Sequence, residues 1–63
     1  MKNNLRVILA KKRKKISDVF EGTGISKTTL TSLYYEKNVN PSFNTLKKIA
    51  DYLNVKIDDI ISS

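Results

Sequence analysis

Four of the five residues from Thr28 to Ser32 carry a hydroxyl group, and a lysine, Lys27, precedes them. Hydroxyl groups donate and accept hydrogen bonds, and an ammonium group donates them. The sequence has no His and no Cys, which removes the usual general base, the usual zinc ligands and any disulfide. It also has no glycine-rich phosphate loop. These residues therefore predict a hydrogen-bonding surface rather than an enzyme, with no metal, cofactor or small-molecule ligand.

The positive charge of the chain is concentrated in its first part. Residues 1–37 contain nine Lys or Arg and three Asp or Glu, whereas residues 38–63 contain three of each, so the first part accounts for the net charge of +6. This asymmetry predicts a surface for a polyanion. One alternative is a solvated face that only promotes solubility. Another is a basic helix on a membrane surface, which is disfavoured because no aromatic anchor lies beside the KKRKK run.

No stretch of the sequence predicts a signal peptide or a membrane span. Residues 5–10 are mostly apolar, but the segment is short and precedes the KKRKK run, which reverses the charge order of a signal peptide. About 18 apolar residues would be needed to cross a membrane. We therefore expect a cytoplasmic protein of one domain, residues 1–63, with no membrane partner.

Apolar side chains recur at the spacing of a helix face in five segments, which predicts a compact all-α bundle of five short helices. The predicted inner faces are formed by Leu5, Ile8, Leu9 and the stem of Lys12; Ile16, Val19 and Phe20; Leu30, Leu33 and Tyr34; Phe43, Leu46, Ile49, Ala50 and Leu53; and Ile57, Ile60 and Ile61. The predicted N-caps are Asn3 or Asn4, Ser26 and Ser42. Gly24 suits the left-handed conformation that is common at the end of a helix, and Asn54 is predicted to end the fourth helix.

The hydroxyl-rich segment has two possible conformations. Its Thr and Tyr content favours a strand, but no second strand is predicted beside it, and an isolated strand is unstable. As a helix it follows the second helix across a glycine turn, which is the layout of a helix-turn-helix over about residues 16–35. In that motif the first helix supports the second, whose N-terminal residues contact base edges in the major groove of DNA.

Two stretches resemble a known family. Residues 24–33, GISKTTLTSL, resemble the turn and recognition helix of the phage-repressor and Cro-type helix-turn-helix family, the Xre family. Residues 40–55, NPSFNTLKKIADYLNV, resemble its fourth helix and the approach to its fifth. The resemblance extends over essentially the whole chain, and it implies a bundle of the lambda-repressor-like DNA-binding type.

The resemblance implies roles for individual residues. The base-facing positions would be Lys27, Thr28, Thr29, Thr31 and Ser32. The phosphate contacts would be Ser26, Tyr35, Lys37 and Asn38, the last three with an ordinary loop role as the alternative. Independently of the resemblance, the apolar character of four residues near the end of the chain makes them candidates for a dimer contact, with closure of the monomer core as the alternative: Tyr52, Ile57, Ile60 and Ile61.

The chain departs from the family pattern at three places. Phe20 stands where the family commonly has Ala, which predicts more crowded packing of the second helix. Lys15 and Ile16 stand where it has a cap and Gln, so the phosphate contact of that Gln is not carried over. Residues 34–36, YYE, replace Glu-Asn-Gly after the recognition helix.

We therefore expect a non-enzymatic transcriptional regulator, a Cro-like or small phage-type repressor that binds operator DNA as a homodimer. One recognition helix reads about four base pairs, so two half-sites of an inverted repeat would roughly double the specific energy. The alternative is a protein-binding module of the same fold, an antitoxin or a partner of another regulator, with only non-specific affinity for DNA.

Overall fold

All regular secondary structure in the computed structural model, which describes residues 3–37 and 40–61, is helical. The helices are α1 (Leu5–Lys12), α2 (Ile16–Thr23), α3 (Lys27–Tyr34), α4 (Phe43–Leu53) and α5 (Ile57–Ile61). The short helix α2 packs against both α3 and α4, while α1 packs on α3 and α5 on α4. The prediction of an all-α bundle of five helices is confirmed.

One apolar core lies between the helices and receives side chains from all five of them. Its most deeply buried members, each no more than 2% exposed, are Leu5, Leu9, Val19, Leu30, Leu33, Ile49, Leu53 and Ile60. Burying such a side chain stabilises the folded state by roughly 1.5–3 kcal/mol. Ile16, Ile25 and Ile57 are partly buried against this core. The short helices are therefore stabilised mainly by their shared apolar faces.

Three side chains that were predicted on inner faces lie at the surface instead. Phe20 is 38% exposed, Phe43 is 66% exposed and Ile61 is 42% exposed. Phe43 and Ile61 are the first and last residues of their helices, where helical spacing alone does not guarantee a packing neighbour. The prediction that Phe20 crowds the packing of α2 is wrong, since this side chain is not part of the core. The stem of Lys12 is exposed as well.

Two asparagines connect the start of the chain to α3 and α5. Asn4 occupies the N-cap position of α1, but its side chain makes no capping bond; its Nδ2 donates to the carbonyl oxygen of Asp59 at 3.2 Å. Asn3 is buried, and its Nδ2 donates to the carbonyl oxygen of Leu33 at 2.9 Å. The Oδ1 of Asn3 accepts from the Leu5 N–H at 2.9 Å. The side-chain oxygen that accepts a hydrogen bond from the first N–H of α1 therefore belongs to the residue before the N-cap.

Three helices end at a left-handed residue that is not glycine. These residues are Arg13 (φ 56°), Glu36 (φ 54°) and Asn54 (φ 57°). After each of them the chain closes the helix with a hydrogen bond to the carbonyl oxygen five residues back, as in a Schellman motif: from Lys14 to Leu9, from Lys37 to Ser32 and from Val55 to Ala50. The predicted end of α4 at Asn54 is confirmed, as is the cap at Ser42, whose Oγ accepts from the Thr45 N–H at 3.1 Å.

The contact between Gly22 and Tyr52 gives a prediction about stability. Gly22 lies within α2, and a Cβ at this position would overlap the Tyr52 ring. Although Ala is the better helix former by about 1 kcal/mol, Gly22→Ala should lower the free energy of unfolding by about 1–3 kcal/mol through overpacking, as measured by urea denaturation. In a Tyr52→Ala background the same substitution should be stabilising. An equal loss in both backgrounds would show that the ring is not the obstacle.

Candidate nucleic-acid interface

The turn between α2 and α3 is bonded to the preceding helix at two points. The Thr23 Oγ1 donates to the Val19 carbonyl oxygen at 2.7 Å and accepts from the Ile25 N–H at 3.2 Å. Gly24 is left-handed, with φ 76°, as predicted, and its N–H donates to the Phe20 carbonyl oxygen at 2.8 Å. Because a left-handed backbone strains residues that carry a Cβ, glycine suits this position. The turn thus fixes the direction in which α3 leaves α2.

Ser26 caps α3, as predicted. Its Oγ accepts a hydrogen bond from the Thr29 N–H at 3.2 Å and donates one to the Thr29 Oγ1 at 2.9 Å. The N–H groups of Lys27 and Thr28, in the first turn, have no acceptor within the helix. They carry part of the positive end of the helix dipole, which favours an anion near this end of α3.

The two sides of α3 have different roles. Leu30 and Leu33 are each 1% exposed and pack in the core. Since a helix turns by about 100° per residue, the side opposite these leucines carries four of the residues predicted to contact DNA, namely Thr28, Thr31, Ser32 and Tyr35. The hydroxyl groups of Thr28, Thr31 and Ser32 make no hydrogen bond with any residue that the structure describes. This outer face of α3 therefore presents donors and acceptors that the fold does not use.

Lys27 and Thr29 lie on the two flanks of the outer face of α3. Lys27 is exposed, and its Nζ lies 5.3 Å from the centre of the Phe20 ring. Thr29 is half-buried, and its Oγ1 is occupied by the hydrogen bond from Ser26. The structure thus brings Thr28, Thr31 and Ser32 together beside Lys27, and it sets the Thr29 hydroxyl apart from them.

A basic groove lies beside the C-terminal end of α3. The side chains lining it are Lys14, Lys15, Ile16, Ser17, Tyr34 and Tyr35. The two tyrosine rings meet edge to face, with their centres 4.9 Å apart, and Tyr35 is 58% exposed. Lysine, serine and tyrosine side chains are common phosphate ligands in complexes with DNA. Ser17 is not among the phosphate contacts predicted from the sequence, although its position in the first turn of α2 favours such a contact.

The remaining predicted phosphate contacts lie where the chain leaves α3. Lys37 is exposed and follows the left-handed Glu36. Asn38 lies outside the residues that the structure describes.

A family model of the Cro/C1-type helix-turn-helix DNA-binding domain matches residues 4–62. The chain belongs to this family. The resemblance found in the sequence is thereby confirmed, and double-stranded DNA is the ligand that such a domain implies. No curated protein matches the chain.

Neither a metal-binding cluster nor a membrane-spanning helix is found in the part of this Cro/C1-type domain that the structure describes. Over residues 3–37 and 40–61 no group of three or more acidic, His or Cys side chains could hold a metal ion. Within the same ranges no helix is long and apolar enough to cross a membrane.

Two of the predicted dimer contacts of this Cro/C1-type domain are engaged within the chain. Ile60 is 1% exposed and belongs to the core, so it offers no surface to a second chain. Tyr52 packs against Gly22, and the Lys14 Nζ lies 5.5 Å from the centre of its ring.

The other two dimer candidates lie at the surface. Ile57 is half-buried and lines an open groove together with the exposed Phe43. We call this the α4–α5 groove; its other lining residues are Lys47, Ala50, Asp51, Val55, Lys56 and Asp58. Ile61 is 42% exposed on α5. The structure thus adds Phe43 to the apolar surface available at this end of the domain.

The unused hydroxyl groups of α3 give a prediction that separates stability from recognition. Thr31→Ala and Ser32→Ala should leave the melting temperature unchanged or raise it slightly, because Ala is the better helix former. Ser26→Ala, the control in the same segment, should lower stability by about 1 kcal/mol, because it removes the N-cap. Thermal unfolding followed by circular dichroism measures all three. A loss for Thr31→Ala as large as that for Ser26→Ala would show that its hydroxyl is structural.

Proposed function

We propose that this protein is a transcriptional repressor that binds operator DNA as a homodimer and acts in the cytoplasm of a prokaryotic cell. In this proposal residues 1–63 act as one DNA-binding domain, and α3 of each subunit enters the major groove. Repression is steric, because a bound dimer covers its operator. The observation that carries the proposal is the outer face of α3, where the hydroxyl groups of Thr28, Thr31 and Ser32 have no hydrogen-bond partner among residues 3–37 and 40–61.

The side chains of α3 suit the edges of base pairs. The Lys27 ammonium group donates to the O6 and N7 atoms of guanine, and the hydroxyls of Thr28, Thr31 and Ser32 donate to or accept from either kind of edge. A threonine methyl group also packs on the thymine methyl group. Because these hydroxyl side chains are small, the helix axis approaches the floor of the groove closely.

Phosphate contacts on both sides of α3 would fix its orientation. At its N-terminal end, Ser26 and the free N–H groups of the first turn face one phosphate. Near its C-terminal end, the basic groove offers Lys15, Ser17 and Tyr35 to a second phosphate. Lys37 extends this basic surface. The positive charge of residues 1–37 would then attract the phosphates of the DNA backbone, and such contacts provide most of the salt-dependent affinity.

The α4–α5 groove is the surface that we assign to dimerisation. Phe43 exposes apolar area in this groove, Ile57 is partly buried beside it, and Ile61, which is 42% exposed, adds apolar surface on α5. Residues 40–61 contain three Lys and three Asp, so two copies can meet through this end without net repulsion, unlike the basic ends. A two-fold dimer of this kind reads an inverted repeat with half-site centres about one helical turn apart.

The exposure of Phe43 also favours a second candidate function, a protein-binding module. In that case a different protein covers the α4–α5 groove, and DNA is bound only non-specifically. The two functions differ in sequence preference, which only the repressor requires.

The base-reading role of Lys27 can be tested by Lys27→Ala. This substitution should weaken binding to the preferred site by about 1–3 kcal/mol and relax the preference at one base position, because one set of donors to guanine is lost. Fluorescence anisotropy with the preferred duplex and its single-base variants measures both effects. Lys48→Ala removes an equal charge from α4 and should leave the base preference unchanged. Unaltered preference in Lys27→Ala would mean that α3 is placed in a different register.

The role of the basic groove predicts a salt dependence. The affinity should fall by orders of magnitude between about 50 and 200 mM salt, because several phosphate contacts each release counterions. Lys15→Ala should make the slope of log affinity against log salt shallower by about one per subunit, whereas Lys27→Ala should leave it nearly unchanged. A flat salt response of the unsubstituted protein would contradict the assignment of the basic surface to DNA.

A further inference from the structure

Phe20 is a large apolar side chain that the core does not use. It is 38% exposed on α2, and it lies outside the apolar core cluster. Its ring is instead in contact with a cation, since the Lys27 Nζ lies 5.3 Å from the ring centre. This distance is within the range of about 6 Å at which an ammonium group is attracted to the face of an aromatic ring.

Phe20 and Lys27 lie on either side of the hydrogen-bonded turn between α2 and α3. The Phe20 carbonyl oxygen accepts the N–H of the left-handed Gly24 at 2.8 Å. Lys27 follows the N-cap Ser26 directly and begins α3. The backbones of both partners are thus fixed by the same turn, so the ring stands at a defined position relative to the lysine stem. Packing of the ammonium group on the ring restricts the rotamers of a side chain that would otherwise be free.

We propose that Phe20 is a positioning residue: its ring holds the Lys27 ammonium group in place for its contact with guanine and so sets the base preference at one operator position. The inference rests on the proposed function. The ring covers one side of the ammonium group, and the lysine has three donors, so donors on the other side stay available to the O6 and N7 atoms of guanine. A side chain that is ordered before binding loses less conformational entropy in the complex.

The pair itself can be tested in the free protein, without DNA. Protons over the face of an aromatic ring are shifted upfield in NMR spectra, so the ε-methylene protons of Lys27 should lie upfield of those of other lysines. Phe20→Leu keeps an apolar side chain but removes the ring, and it should abolish the shift. Phe20→Tyr should retain it. Identical Lys27 shifts in the unsubstituted protein and in Phe20→Leu would overturn the proposal.

The effect on recognition is tested by a double-mutant cycle between Phe20→Leu and Lys27→Ala. Binding is measured for the preferred duplex and for the duplex in which the guanine facing Lys27 is replaced. Phe20→Leu should lower the discrimination between the two duplexes by about two- to fivefold, the range expected for an exposed cation–π contact. It should have no effect on discrimination in the Lys27→Ala background, and Phe20→Tyr should restore it. Val7→Ala removes exposed apolar area from α1 and serves as the control without effect.

The outcomes separate this inference from the proposed function. If the unsubstituted protein has no base preference, both fail. If it has a preference that Phe20→Leu retains in full, only the role of Phe20 fails. If Phe20→Leu lowers discrimination equally with and without Lys27, the ring contacts DNA by itself, and the positioning role is again overturned.

Discussion

The direction of α3 depends on one short segment of backbone, residues 23–26. Gly24 occupies the left-handed region and bonds back to α2, the Thr23 hydroxyl bonds to both sides of the turn, and Ser26 satisfies the start of the next helix. This arrangement lets Val19 of α2 and Leu30 of α3 both lie buried in one core. The remaining structure holds the motif in place: α4 covers α2, and α1 together with Asn3 covers the end of α3. A few hydrogen bonds and the core therefore set the angle between α2 and α3, on which the proposed recognition of DNA depends.

Helix α3 must both pack in the core and present hydrogen-bonding groups to solvent, and its sequence places the residues for these two roles on opposite faces. The inner face contributes leucines to a core that is small because the chain is short. The outer face carries threonine and serine, which weaken an isolated helix but provide hydrogen-bonding groups small enough to enter a groove. A strong cap at Ser26 and a Schellman closure at Glu36 and Lys37 offset part of this weakness. Charge is divided in a similar way: the excess of positive charge lies in residues 1–37, which contain the motif, whereas the α4–α5 groove is lined by residues of both signs.

Much of the fold could be predicted from the sequence, because local rules decide it. Helical spacing and capping residues predicted five helices, the cap at Ser26, the left-handed Gly24 and the end of α4 at Asn54. The errors share a different cause, which is dependence on distant parts of the chain. The partners of Asn3 and Asn4 lie on α3 and beside α5, and the exposure of Phe43 depends on how far the neighbouring helices extend. Glu36 stands where the family pattern has glycine, and its left-handed conformation is one that the residue type alone would not predict. In the interface, the outer face of α3 was predicted, whereas the bonded state of the Thr29 hydroxyl and the contact between Phe20 and Lys27 require coordinates.

We propose that α3 reads a DNA sequence and that two copies of the protein do so together. The most direct measurement is an in vitro selection from randomised duplex DNA at near-physiological salt, followed by sequencing of the bound fraction. We expect enrichment of an inverted repeat whose half-site centres lie about one helical turn apart, with a guanine in each half-site that Lys27→Ala no longer requires. A bound fraction with no enriched sequence would contradict it and would leave a basic helix-turn-helix protein whose specificity is for another protein.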